Sequence, residues 1–403
     1  MDANLEIRVI DLVFCLSQAV DMVDAHVADH HKRVAYIVFS LAEEMGLPEG
    51  ECMDLALAGA LHDIGGLALK DRLALLEFES ISAREHGELG YQLVHPFRAL
   101  ASVADLIRSH HVYWENGAGA SANGRAVPPG SHLLHLADRV AVQIDPHQEV
   151  LLQAETIRAR IQNEAGRMFR PEQVQAFCRL SARESFWLDA ISSGLEGLLG
   201  HRAHWRTVRL ETEDMAELAR LFCRTIDFRS PFTATHSSGV ATVAELLAEL
   251  DGFSLEDRQI MRIAGYLHDL GKLAVPTEIL DKPARLTDQE FAVVRHHTYY
   301  TDRILQPVGP LDKIRTWGAL HHERLDGSGY PFHLTAEQLP RGSRIMAVAD
   351  VFVAVTEDRP YRRGMDKLDA LEALRQKVDG GALDRELVAL AKANYERVDQ
   401  ARR

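Results

Sequence analysis

Apolar residues recur along this chain at the three- and four-residue intervals that line one side of an α-helix. Ile260, Ile263, Leu267 and Leu270 form one such series, and Leu57, Leu61 and Ile64 form another. Ile345, Val348, Phe352 and Val355 make a third. Strict alternation of apolar and polar positions, the mark of a half-buried strand, is scarce. Glycine and proline clusters fall between the helical stretches, where turns are needed. The pattern predicts an all-α protein throughout, with helices packed as bundles.

The polar residues carry a second pattern. In the C-terminal half, histidines and aspartates fall at His236, His268-Asp269, His297, His321-His322 and Asp350. The N-terminal half gives the same series as His30, His62-Asp63, His86, His110-His111 and Asp138. The first His precedes the His-Asp pair by 32 residues in both halves, and the third His precedes the His pair by 24. The step from the His pair to the last Asp is 28 residues in one half and 27 in the other. The one large difference is the His-Asp to His step, 29 against 24, as a change in loop length would make it. Flanking residues repeat too: Ala58-Gly59-Ala60-Leu61-His62-Asp63 parallels Ala264-Gly265-Tyr266-Leu267-His268-Asp269. These coincidences point to duplication of one domain.

Length agrees, since 403 residues are many for a single core. The join falls near 196–212, around Gly197 and Gly200, which divides the chain into domains at 1–200 and 201–403. A net charge of −14 argues against a DNA or RNA polymer, or an anionic membrane, as partner. No apolar run approaches the roughly 20 residues of a membrane span. The N-terminus lacks a basic, apolar leader, and the four cysteines form no CxxC pair. Together these features predict a cytoplasmic protein.

Imidazole and carboxylate are the donors that suit iron, manganese, zinc and related divalent metals. Helix bundles build metal sites from such side chains on facing helices. A lone buried histidine is more often a hydrogen-bonded core residue, and a His-Asp dipeptide is common by chance. Seven residues recurring twice at nearly matching intervals are not explained that way. Five histidines and two aspartates can hold two ions, and paired ions roughly 3.5–4 Å apart polarise a phosphoryl oxygen and supply hydroxide at neutral pH.

The C-terminal motifs resemble a known family. His268-Asp269-Leu270-Gly271-Lys272 looks like the HD motif of the HD phosphohydrolase superfamily. The stretch from His321-His322-Glu323 to Gly329-Tyr330-Pro331 matches the signature of its HD-GYP subfamily. The resemblance is strong from about Thr225 to Arg363, so the chain reads as two tandem HD-type bundles with the HD-GYP domain second. It implies hydrolysis of the phosphodiester bonds of cyclic di-GMP or 3′,3′-cyclic GMP-AMP, to a linear dinucleotide or mononucleotides. It also implies a binuclear or trinuclear metal centre, most often iron or manganese, with other divalent metals possible. Carried over by motif, the ligands are His236, His268, Asp269, His297, His321, His322 and Asp350, with Asp269 as bridge. Lys272 is implied to contact the scissile phosphate, alongside Asp269 as a catalytic residue. Arg359 and Arg362 are placed to meet phosphate or guanine, and Gly329, Tyr330 and Pro331 to shape substrate access. Trinuclear relatives carry a glutamate four residues before the first ligand His. Here that position is Phe232, so two metals are expected. Ser230 stands where many relatives have aspartate.

The N-terminal copy keeps all seven ligand types, His30, His62, Asp63, His86, His110, His111 and Asp138, as a second candidate metal site. Its accessory chemistry differs. Gly66 stands where Lys272 stands, and Tyr113-Trp114-Glu115-Asn116-Gly117-Ala118-Gly119 replaces the GYP loop. Three roles are open to this copy: a metal-bound regulatory or homodimerising domain, a second active site, or a relic that binds no metal. Two readings compete with hydrolysis at the C-terminal site, a catalytically inactive cyclic-dinucleotide sensor and a di-iron oxygenase.

Overall fold

The computed structural model describes residues 5–21, 29–66, 83–205, 207–210, 212–227, 236–358 and 363–403. The chain is all-α. Among the described residues the strands form two short pairs, Leu5–Arg8 with Thr207–Leu210 and Ser121–Ala122 with Arg125–Ala126. It divides into two compact units, Arg8–Thr207 and Val208–Arg403, the latter joined by residues 5–7. Among the described residues no helix is long and apolar enough to cross a membrane.

Each unit is a helical bundle around one central layer. In the N-terminal unit the helix His30–Glu44 is buried along nearly its whole length and packs on Glu49–Leu61 and Pro129–Gln143. In the C-terminal unit the helix His236–Leu250 packs on Leu255–Leu267 and Arg341–Thr356. The apolar faces expected from periodicity point inward: Ile260, Ile263, Leu267 and Leu270 are buried, as are Leu57, Leu61 and Ile64. Ile345, Val348 and Phe352 are fully buried, while Val355 is half-buried at the helix end.

Local signals set the helix starts. The Ser254 hydroxyl accepts from the Asp257 amide at 3.1 Å, capping Leu255–Leu267. Thr287 and Glu290 form a reciprocal capping box that starts Asp288–Leu305. The central helix crossing is set by a glycine in each unit. A Cβ on Gly265 would lie 2.4 Å from the Ala241 Cα, and one on Gly59 would lie 2.7 Å from the Ala35 Cα. A side chain at either position would force the two helices apart, at a cost of about 1–3 kcal/mol. That crossing brings the first His of each series beside the His-Asp pair.

Candidate metal centres

In the C-terminal unit, separate elements deliver polar side chains to one buried point. His236 opens the helix His236–Leu250, and His268 closes Leu255–Leu267 with Asp269 next in the chain. His297 lies on Asp288–Leu305, His321 and His322 follow Asp312–Ala319, and Asp350 lies on Arg341–Thr356. All seven residues come together. The donor atoms of His236, His268 and Asp350 lie within 4.8 Å of one another, as do those of His297, His321 and His322.

Asp269 stands between the two sets. Its Oδ2 is 3.2 Å from His268 Nε2 and 4.0 Å from His236 Nε2, while its Oδ1 is 3.4 Å from His297 Nε2 and 3.9 Å from His321 Nε2. His236 Nε2 is 3.2 Å from Asp350 Oδ1.

The rings are oriented from behind. Nδ1 of His268, His297 and His321 each donates to the carbonyl three residues earlier, at 2.7, 2.6 and 2.7 Å. That fixes the tautomer and leaves Nε2, with its lone pair, facing the cluster. His268 Nε2 and Asp269 Oδ1 are buried with no hydrogen-bond partner. Buried polar atoms left this way are costly, and a divalent cation satisfies both.

Electrostatics at His297 and His321 favour the same occupant. Burial pushes His297 down to about 3 and holds His321 well below its usual range, so both are neutral, the form that binds metal. Burial opposes charge on His236 as well, yet the Asp350 and Glu357 carboxylates outweigh it and raise it to about 9. For Asp269 burial favours the neutral acid, but attraction to His268 and Lys272 keeps its carboxyl well below the carboxylate range.

Around this cluster sits the accessory chemistry. Lys272 lies on the turn Leu270–Ala274, its Nζ 2.5 Å from Asp269 Oδ2 and its side chain 19% exposed. The Gly329-Tyr330-Pro331 loop packs against the His pair, with the Tyr330 ring 5.0 Å from that of His322. Gly329 is required by close approach, since a Cβ there would lie 2.3 Å from the Arg324 amide nitrogen. Arg359, Arg362, Phe232 and Ser230 lie outside the described residues.

The N-terminal unit repeats the arrangement. His30 Nε2 is 3.4 Å and His62 Nε2 3.6 Å from Asp138 Oδ1. Asp63 again lies between, with Oδ2 3.2 Å from His62 Nε2 and Oδ1 3.1 Å from His86 Nε2 and 3.6 Å from His110 Nε2. The donors of Asp63, His86, His110 and His111 fall within 4.8 Å of one another, as do those of His30, His62 and Asp63. Nε2 of His30, His62 and His111 and one oxygen each of Asp63 and Asp138 are buried without hydrogen-bond partners. This cluster also fits divalent metal. Gly66 occupies the Lys272 position, and Tyr113–Gly119 is anchored elsewhere: the amides of Trp114, Glu115 and Asn116 donate to the carbonyls of Met168, Arg167 and Gly166.

Four residues with evident roles were not singled out by sequence. Glu357 accepts from His236 Nδ1 at 3.2 Å. Its place seven residues after Asp350, two helical turns on, was the available signal. Buried Glu323 accepts from the amides of Phe332 and Leu334 at 2.6 and 3.0 Å and so holds the loop that follows Pro331. Arg295 places its guanidinium 4.8 Å from the Tyr330 ring centroid. In the N-terminal unit Arg139, 2% exposed, binds Asp138 Oδ2 through Nε and a terminal nitrogen at 3.0 and 2.6 Å. A charged residue beside a ligand carries no periodic signal.

Comparison with known proteins agrees with the duplication. The HD domain family matches residues 218–387 and, separately, 27–143. The chain is 33% identical over 384 residues to a 3′3′-cGAMP-specific phosphodiesterase 1 of Vibrio cholerae, covering 92% of this chain and 88% of that protein. It is 40% identical over 145 residues to a cyclic di-GMP phosphodiesterase of Pseudomonas aeruginosa, covering 35% of each. The crystal structure of a cyclic GMP-AMP-specific phosphodiesterase of Vibrio cholerae superposes with a TM-score of 0.69 over 97% of this chain and 98% of that one. At 23% identity that match speaks to fold.

Proposed function

This chain belongs to the HD-GYP family of HD-domain phosphohydrolases, and from that premise we propose that its C-terminal centre hydrolyses a cyclic dinucleotide. The substrates proposed are cyclic di-GMP and 3′,3′-cyclic GMP-AMP, opened to a linear dinucleotide or to mononucleotides. One observation carries the reading: in residues 201–403 a full His/Asp cluster coincides with a lysine on its central carboxylate and a GYP loop on its His pair. Residues 1–200 hold an equivalent cluster, with Gly66 at the position of that lysine.

We assign the metal ligands as His236, His268, Asp269 and Asp350 on one side, with Asp269, His297, His321 and His322 on the other. A binuclear iron or manganese centre held there would supply Lewis-acid activation of the phosphoryl group and a nucleophile at neutral pH. The protein's own groups do the rest. Asp269 turns one oxygen to each set and so would serve both ions. Lys272 holds a positive charge at the exposed edge of the cluster, where it meets a scissile phosphate and donates toward the leaving oxygen. Arg295 adds a second cation on the Tyr330 face. Phe291, Tyr299 and Phe332, partly exposed around this edge, offer flat surfaces for purine stacking.

The test is product analysis after anaerobic loading with Fe(II) or Mn(II), with each ring supplied in turn. The expected result is a linear dinucleotide or mononucleotides from at least one ring. Tight binding without turnover would favour the sensor reading, and oxygen consumption with an organophosphonate would favour the oxygenase.

A further inference from the structure

Among the described residues each cluster carries one cationic side chain on one of its aspartates, but the two cations occupy different places. In the C-terminal unit Lys272 sits on the central carboxylate, and the oxygen it holds, Asp269 Oδ2, is the same one that faces His268 and His236. A cation there competes with a metal for a ligand atom. Lys272 is also single-pointed, flexible and partly exposed, so it can leave and return.

In the N-terminal unit the position of Lys272 is Gly66, and the cation is Arg139, where the C-terminal copy has Val351. Arg139 is buried and grips Asp138 Oδ2 through two nitrogens. The opposite oxygen, Oδ1, is the one directed at His30 and His62, and it is buried with no hydrogen-bond partner. Arg139 therefore fixes the carboxylate without occupying its ligating atom. Asp138 is also more enclosed than its counterpart, with 1% of the residue exposed against 8% for Asp350, and His111 is buried where His322 is half-buried.

From this contrast we propose that Arg139 is the positioning residue of a metal-retaining centre in the N-terminal unit, while the C-terminal centre exchanges its metal readily. Partners that orient a ligand in this way are worth roughly 10–100-fold in metal affinity. The retaining centre is a fixed structural element of the chain, and the exchanging one is where substrate chemistry needs accessible coordination. The contrast lies in the geometry of the two aspartates and holds whichever bond the C-terminal centre cleaves.

The experiment loads the full chain with Mn(II), adds excess EDTA, and follows protein-bound manganese with time by mass spectrometry. Wild type is expected to release metal in a fast and a slow phase. Asp269→Ala should lack the fast phase and keep the slow one. Arg139→Met should lose the slow phase, its metal leaving roughly 10–100-fold faster. Arg139→Lys, which restores charge without the two-point grip, should fall between them. A single phase in wild type, a slow phase unchanged in Arg139→Met, or one abolished by Asp269→Ala would overturn the proposal. If circular dichroism shows Arg139→Met unfolded, Arg139→Lys decides: a slow phase at the wild-type rate contradicts it.

Discussion

Residues 1–200 and 201–403 hold clusters of the same seven residue types, at nearly the same spacing and with the same central aspartate, yet their surroundings differ. What differs lies one step outward from the donors. The C-terminal cluster has Lys272 at its exposed edge, Glu357 behind His236 and a GYP loop on His322. The N-terminal cluster has Gly66, a loop anchored to residues 166–168, and a buried arginine on its last aspartate. The donors determine that metal can bind, and the surrounding side chains determine what a bound metal can be used for.

The largest effect expected from breaking this asymmetry is at Lys272. Lys272→Met should lower kcat on a cyclic dinucleotide by roughly 10²–10⁴-fold, the range for a positioned proton donor, with no loss of bound metal by mass spectrometry. The reciprocal Gly66→Lys should produce no new hydrolysis when placed in a chain inactivated at Asp269, because the GYP loop would still be missing. Next comes Glu357→Gln, which weakens the hydrogen bond that orients His236. Metal titration should show roughly 10–100-fold lower affinity at the C-terminal centre, with the N-terminal centre unaffected.

Gly329→Ala tests the loop rather than the ligands. Its Cβ meets backbone that has no room to yield, so the loop must shift at a cost of about 1–3 kcal/mol. Steady-state kinetics should record the change mainly as a rise in KM.

The smallest effect is a pH dependence of the metal-free protein. His236 is raised to about 9 from an ordinary 6.5, so its charged form stabilises the fold fully below pH 6.5. That contribution is lost as pH rises through 9. His62, raised to about 10 because Asp63 and Asp138 outweigh burial, loses its share later. Metal-free wild type should therefore lose more melting temperature between pH 6.5 and 9 than His236→Gln does. Metal affinity should rise over the same interval, since His236 must give up its proton to bind.

Much of this was legible in the sequence, for identifiable reasons. The helices announced themselves through apolar spacing, and Ile260, Ile263, Leu267 and Leu270 are buried as that spacing requires. The His and Asp positions of the two clusters stood out because duplication wrote them twice at nearly the same intervals. Glu357, Arg139 and Arg295 were not legible, because their importance lies in where a long side chain reaches once helices have packed. Arg139 turns back onto the residue just before it, and Arg295 matters only because Tyr330, distant in sequence, lies beneath it. The role of Glu323 was hidden differently: it sits inside the recognised motif, but what it holds is the backbone of the loop itself.

The most direct test of the division of labour compares Asp269→Ala with Asp63→Ala, the same substitution at the central aspartate of each cluster. Both chains would be loaded with Mn(II) and assayed for product from cyclic di-GMP and 3′,3′-cyclic GMP-AMP. Asp269→Ala should abolish product while Asp63→Ala, if still folded by circular dichroism, continues to release it. Product from the Asp269→Ala chain that disappears in Asp63→Ala would place hydrolysis in the N-terminal unit and contradict the account.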